Sequence, residues 1–100
     1  MTLIDTKIDK IKAACHKYNV HELYAFGSVL TNRFHDKSDI DLLVDIDEAD
    51  PIAYGEAYFD FKFELEHIFG RNIDLLEQKA IKSNRFRHLI NQKMQLVYAR

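Results

Sequence analysis

Residues 25–46 read AFGSVLTNRFHDKSDIDLLVDI, and the second half of that stretch decides the fold. From residue 38 to 46 the chain alternates strictly, with Ile40, Leu42, Val44 and Ile46 on one side and Asp39, Asp41, Leu43 and Asp45 on the other. A period of two is the signature of a strand buried on one face. Asp39 and Asp41 therefore leave the same face, at a Cα separation of roughly 6–7 Å. Two carboxylates that close repel unless something cationic lies between them. A hard divalent ion, chiefly Mg²⁺, resolves the repulsion by taking oxygen from both, and it keeps positions for water and substrate phosphates. Asp45 and Asp47 share the parity but lie roughly 13–27 Å further along an extended chain. They read as a solvated strand end and loop.

Upstream of this strand, Gly27-Ser28 closes the apolar run LYAF. A glycine at the end of a strand permits close backbone approach, and a helical turn starting there points free N–H groups outward, an arrangement suited to phosphate. Ser28 adds a hydroxyl. Ten residues separate Gly27-Ser28 from Asp39-x-Asp41. A strand-turn-strand layout would then set a phosphate cradle beside a pair of metal-binding carboxylates.

Working outward, Leu3, Ile4, Ile8, Ile11, Ala14, Cys15 and Tyr18 recur at helical spacing, so residues 2–18 read as one amphipathic helix ended by Asn19. Cys15 lies on its apolar side and reads as a small buried thiol. Residues 21–26 form a short strand, and residues 29–34 have room for one or two helical turns. Asp50-Pro51 carries the N-cap and first-turn proline of a helix start, and Gly70 a natural stop. Between them Tyr54, Tyr58, Phe61, Leu65 and Ile68 step by three and four, an aromatic stripe that reads as core. Phe59, Phe63 and Phe69 fall partly off it. Residues 72–76 make another strand, with Asp74 between apolar neighbours; a basic helix at about 83–92 and a last strand at 94–98 follow. The order predicts an α+β or α/β domain, a small mixed sheet flanked by helices, occupying residues 1–100 as one unit.

The composition bounds the function. Fourteen Lys and Arg against 16 Asp and Glu give a net charge of −2, which argues against direct nucleic-acid binding. The average hides a segregation. Six acids fall between Asp39 and Asp50, whereas residues 79–100 hold six cations and no acid. A lone cysteine excludes an intramolecular disulfide, and no apolar stretch approaches the roughly 20 residues that span a bilayer. The expectation is a cytoplasmic protein without membrane association. Five histidines lack the paired spacing of a zinc site, and Glu64-x-x-His67 lacks the second copy that a di-iron centre needs.

The two-part pattern Gly27-Ser28-x10-Asp39-x-Asp41 resembles the signature of the DNA polymerase beta-like nucleotidyltransferase superfamily, in particular its minimal nucleotidyltransferase branch. Asp74 in NIDLLE fits the third acid of that family, and the resemblance runs from the first helix to the final strand. It implies the nucleotidyltransferase fold. It also implies that Asp39, Asp41 and Asp74 are catalytic and hold two Mg²⁺ ions, and that Gly27 and Ser28 bind the β- and γ-phosphates of ATP. Minimal nucleotidyltransferases are commonly paired with a HEPN-domain toxin. The resemblance implies an antitoxin that transfers AMP to a tyrosine hydroxyl of such a partner, in an assembly with itself or with that partner. One departure stands out: many relatives carry an arginine where this chain has Thr31. Lys37 and the run Lys82, Arg85 and Arg87 are possible substitutes for its charge. The alternatives are an antitoxin that blocks its partner by contact alone through the helix at 51–70, and nucleotidyl transfer to a small molecule.

Overall fold

The computed structural model describes residues 2–31, 34–35, 37–80, 84, 88 and 93–100. Two helices open the chain, α1 at Thr2–Thr6 and α2 at Ile8–Lys17. The expected single helix is thus broken at Lys7, whose backbone leaves helical geometry. The cause is local. The Thr6 hydroxyl donates to the Leu3 carbonyl at 2.7 Å, offering that oxygen a partner other than the helical ladder. At the far end of α2, Asn19 takes a left-handed φ of 57° and turns the chain into the sheet.

Four strands follow: β1 at Val20–Phe26, β2 at Ile40–Ile46, β3 at Ile73–Glu77 and β4 at Gln95–Ala99. They lie in the order β3-β2-β1-β4. β1 is antiparallel to both β2 and β4, while β2 and β3 run parallel, so the sheet is mixed as expected. The parallel pair needs a crossover, and α3 at Pro51–Phe69 supplies it. This helix starts where the sequence says it should. Asp50 accepts a hydrogen bond from the Ala53 N–H at 2.9 Å, Pro51 occupies the first turn, and Gly70 closes the other end with φ 66°. The expected helix at 83–92 falls largely outside the described residues.

The helices cover one face of the sheet. Ile11 and Cys15 of α2 and Phe61, Leu65 and Phe69 of α3 bury against Leu23, Leu42, Val44, Ile46, Ile73 and Leu75. Phe69, outside the expected stripe, belongs to this core, whereas Tyr54 and Tyr58 are only partly buried. Burial pushes the Cys15 thiol up to about 12, which makes it an inert packing group at neutral pH. Glu64 receives the Lys17 ammonium at 3.2 Å, tying α3 to α2; that pairing accounts for its place four turns along α3 without a metal. Leu43 breaks the alternation in one respect. It points to the acid-bearing face and is buried there too, between Tyr24 of β1 and Leu76 of β3 in the register. Among the described residues, no helix is long and apolar enough to cross a membrane.

Candidate active site

The carboxylates singled out in the sequence meet at one end of the sheet. Asp41, the second residue of β2, pairs in register with Asp74 on parallel β3 and with Phe26 on antiparallel β1. Neighbouring strands lie about 4.8 Å apart. Asp39 stands just ahead of β2, exposed, two residues from Asp41 on the same side. Sequence distance and strand register thus bring Asp39, Asp41 and Asp74 together, although Asp74 is more than 30 residues away along the chain.

The electrostatics of this corner are one-sided. The Asp41 carboxyl is held above its ordinary range, first by partial burial, then by the charge and hydrogen bonding of Asp74, and then by the charge of Asp39. Among the described residues, no lysine or arginine forms an ion pair with any of the three. Gly27 shows how tightly the place is built. It adopts φ +75° at the end of β1, and a Cβ on it would collide with Oδ2 of Asp41. Only glycine meets both demands without strain. The donor set is therefore carboxylate oxygen throughout, gathered beside a backbone with no side chain, which fits a hard divalent cation such as Mg²⁺.

Beyond Gly27 the chain makes a single 3-10 turn, Gly27–Leu30, in place of the one or two helical turns expected at 29–34. The Thr31 N–H and hydroxyl both donate to the Ser28 carbonyl, each at 2.9 Å, and close the turn. So short a turn has little macrodipole, so any anion held there would depend on the leading N–H groups and the Ser28 hydroxyl. Gly27, Ser28, Leu30, Thr31 and Lys93 line a cavity of about 550 Å³, within the range of small-molecule sites. Arg33, Lys82, Arg85 and Arg87 lie outside the described residues. Lys37 is exposed on the turn ahead of β2, where its backbone N–H meets the His35 ring.

One contributor escaped sequence reasoning, and a second was visible there only as one cation of the basic run at 79–100. Arg71 donates to the carbonyls of His35 and Ser38 at 3.1 and 3.2 Å and stacks on the Phe34 ring, its guanidinium carbon 4.7 Å from the centroid. It clasps the loop that delivers Asp39. Lys93 lines the Gly27-Ser28 cavity from two residues ahead of β4. Neither carries a motif; both depend on contacts between distant segments. A second cluster, His21, Glu22 and Asp45, gathers its ligand atoms within 4.8 Å at the other end of β2 and is separate from the aspartate trio. Lys79 already stands 3.6 Å from its Asp45.

Residues 9–100 match the family model described as Polymerase beta, Nucleotidyltransferase. The chain is 35% identical over 65 residues, 65% of its length and 64% of the other's, to a Methanocaldococcus jannaschii protein named as a candidate protein adenylyltransferase. It is 28% identical over 67 residues to the protein adenylyltransferase MntA of Thermococcus cleftensis, covering 67% of this chain and 65% of that one. The matched region thus spans a little under two thirds of these relatives. Among solved structures, one described as a candidate minimal nucleotidyltransferase superposes with a TM-score of 0.75 at 21% identity, covering 91% of this chain and 89% of the other. Another, a tri-AMPylated HEPN toxin of Shewanella oneidensis in complex with an MNT antitoxin, gives 0.67 at 17% identity over 97% of this chain and 73% of that one. A toxin–antitoxin structure with AMP-PNP gives 0.72 at 20% identity, covering 93% and 73%. At such identities the superpositions speak to the fold.

Proposed function

This chain belongs to the Polymerase beta nucleotidyltransferase family, and from that premise we propose that it is a minimal nucleotidyltransferase domain that transfers AMP from ATP to a tyrosine hydroxyl of a HEPN-domain toxin, acting as its antitoxin in the cytoplasm. The observation that carries the reading is the corner where Asp41 lies against Gly27 and beside Asp74, with Asp39 adjacent and no ion-pair partner among the described residues. Charge gathered at such a cost to its own ionisation is what a cation-dependent site requires. The relatives named as protein adenylyltransferases support the reaction class, and the toxin–antitoxin neighbours support the choice of partner.

In this reading Asp39, Asp41 and Asp74 would hold Mg²⁺, with two ions expected once ATP is bound. The metal supplies charge neutralisation at the phosphates and a lowered pKa at the attacking hydroxyl. Gly27 lets the polyphosphate approach the backbone, and Ser28 offers its hydroxyl and N–H to the β- and γ-phosphates. Leu30 gives the cavity an apolar wall. A new bond forms between the tyrosine oxygen and the α-phosphorus, the hydroxyl proton passes to solvent, the bond to the β-phosphate oxygen breaks, and pyrophosphate leaves. The protein's own part is positioning and charge.

The test is mass spectrometry of a co-purified HEPN-domain partner incubated with the chain, Mg²⁺ and ATP. Addition of adenylyl groups that Asp39→Asn and Asp41→Asn abolish is the expected result; an unmodified partner refutes the reading. A second reading, inhibition by contact alone, draws on the exposed stacked rings of Phe59 and Phe63 on α3. Under it the Asp41→Asn protein neutralises its partner as well as the parent does.

A further inference from the structure

In the polyphosphate subsite proposed above Thr31 is neutral, its hydroxyl bonded to the Ser28 carbonyl. A triphosphate held over Gly27-Ser28 still needs a positive charge on that side, away from the aspartate corner. Two independent observations indicate its source. First, Lys93 is the cation among the described residues that line the cavity with Gly27, Ser28, Leu30 and Thr31. It is exposed, so its ammonium is available to a ligand.

Second, the pairing of β1 with β4 ends beside it. β4 runs antiparallel to β1, with Ala25 opposite Gln95 and Tyr24 opposite Leu96. Gly27 follows Ala25 by two residues and Lys93, which is helical, precedes Gln95 by two, so both lie just beyond the same end of this strand pair.

Resting on the nucleotide reading above, we propose that Lys93 is the residue that binds the polyphosphate of the nucleotide, taking over from the β4 side the charge that the turn after Ser28 lacks. Lysine serves phosphate as a compact point charge, so the role needs proximity more than a fixed fork geometry. It is a substrate-binding role, and the side chain's exposure means that its replacement leaves the fold intact.

The experiment is calorimetric titration of the full chain with ATP in the presence of Mg²⁺, for the parent, Lys93→Arg, Lys93→Ala, Lys93→Glu and Asp41→Asn, with ligand-free melting temperatures as the control for folding. The expected order of affinity is parent equal to Lys93→Arg within about threefold, then Lys93→Ala weaker by about tenfold or more, then Lys93→Glu weaker again. Melting temperatures stay level across the Lys93 variants. Lys93→Ala binding as tightly as the parent, while Asp41→Asn loses binding, overturns this inference and leaves the site reading standing. A parent that binds no Mg²⁺-ATP overturns both.

Discussion

Strand β2 carries acids at both ends, and the two ends are neutralised differently. At its C-terminal end Asp45 has the Lys79 ammonium at 3.6 Å, and Asp47 in the following loop pairs with Arg100. Lys79 is further anchored by donating to the Ile46 carbonyl at 2.8 Å and by lying over the Tyr54 ring. At its N-terminal end Asp41 meets Asp74 and Asp39 and has no such partner among the described residues. Both ends share one sheet face and one sequence pattern. The first has its counter-charge built into the chain; the second has none among the described residues, which is what the proposed cation site requires. That asymmetry, and not the number of acids, is what separates the proposed cation site from a solvated strand end.

The largest effect that would break the comparison is at Asp41. Under the proposed reading Asp41→Asn removes a direct ligand, so transfer activity should fall by more than the roughly 10–100-fold that loss of an outer-shell partner costs. The metal-free protein should melt at the same temperature or higher. The sign follows from the raised pKa: the native state disfavours the charged carboxylate, so a neutral isostere relieves repulsion. A fall in metal-free stability would contradict this.

Gly27→Ala comes next. Its Cβ meets Oδ2 of Asp41 and its φ is left-handed, a conformation costing a non-glycine residue about 1–2 kcal/mol. Urea unfolding should show a loss of at least that size, accompanied by loss of the Mg²⁺ response. At the other end of β2 the effects should shrink. Asp45→Asn breaks a pair whose lysine is about half exposed, so denaturation should register less than about 1 kcal/mol, diminishing with salt, with activity within about twofold of the parent. Asp47→Asn removes a pair exposed on both sides, and no change in activity is expected. A large loss of activity from either would erase the difference between the ends.

Much of this was legible in the sequence, for reasons that differ by element. The alternation at 38–46, the Asp50-Pro51 start and the Gly70 stop are local signals, and each element formed within one or two residues of expectation. The Gly27-Ser28 and Asp39-x-Asp41 spacing was readable because a turn and a strand edge fix it nearby in the chain. Asp74 was readable only through resemblance, since nothing local says that residue 74 lies beside residue 41; the parallel register does. The pairings that set the two ends apart were not readable. Lys79 with Asp45, Arg100 with Asp47, the Arg71 clasp and Lys93 at the cavity all join segments that the topology alone brings together. The break at Lys7 was missed because apolar periodicity ignores the Thr6 hydroxyl that competes for the Leu3 carbonyl.

The central claim is that the Asp39, Asp41 and Asp74 corner is a cation site while the Asp45 end is not. Melting temperature followed against Mg²⁺ concentration, with ATP present, tests it most directly in the parent, Asp41→Asn and Asp45→Asn proteins. A ligand that binds only the folded state raises stability as its concentration exceeds its dissociation constant. The account predicts a rising curve for the parent and for Asp45→Asn, and a flat one for Asp41→Asn. A flat parent curve, or the same rise in Asp41→Asn as in the parent, would contradict it.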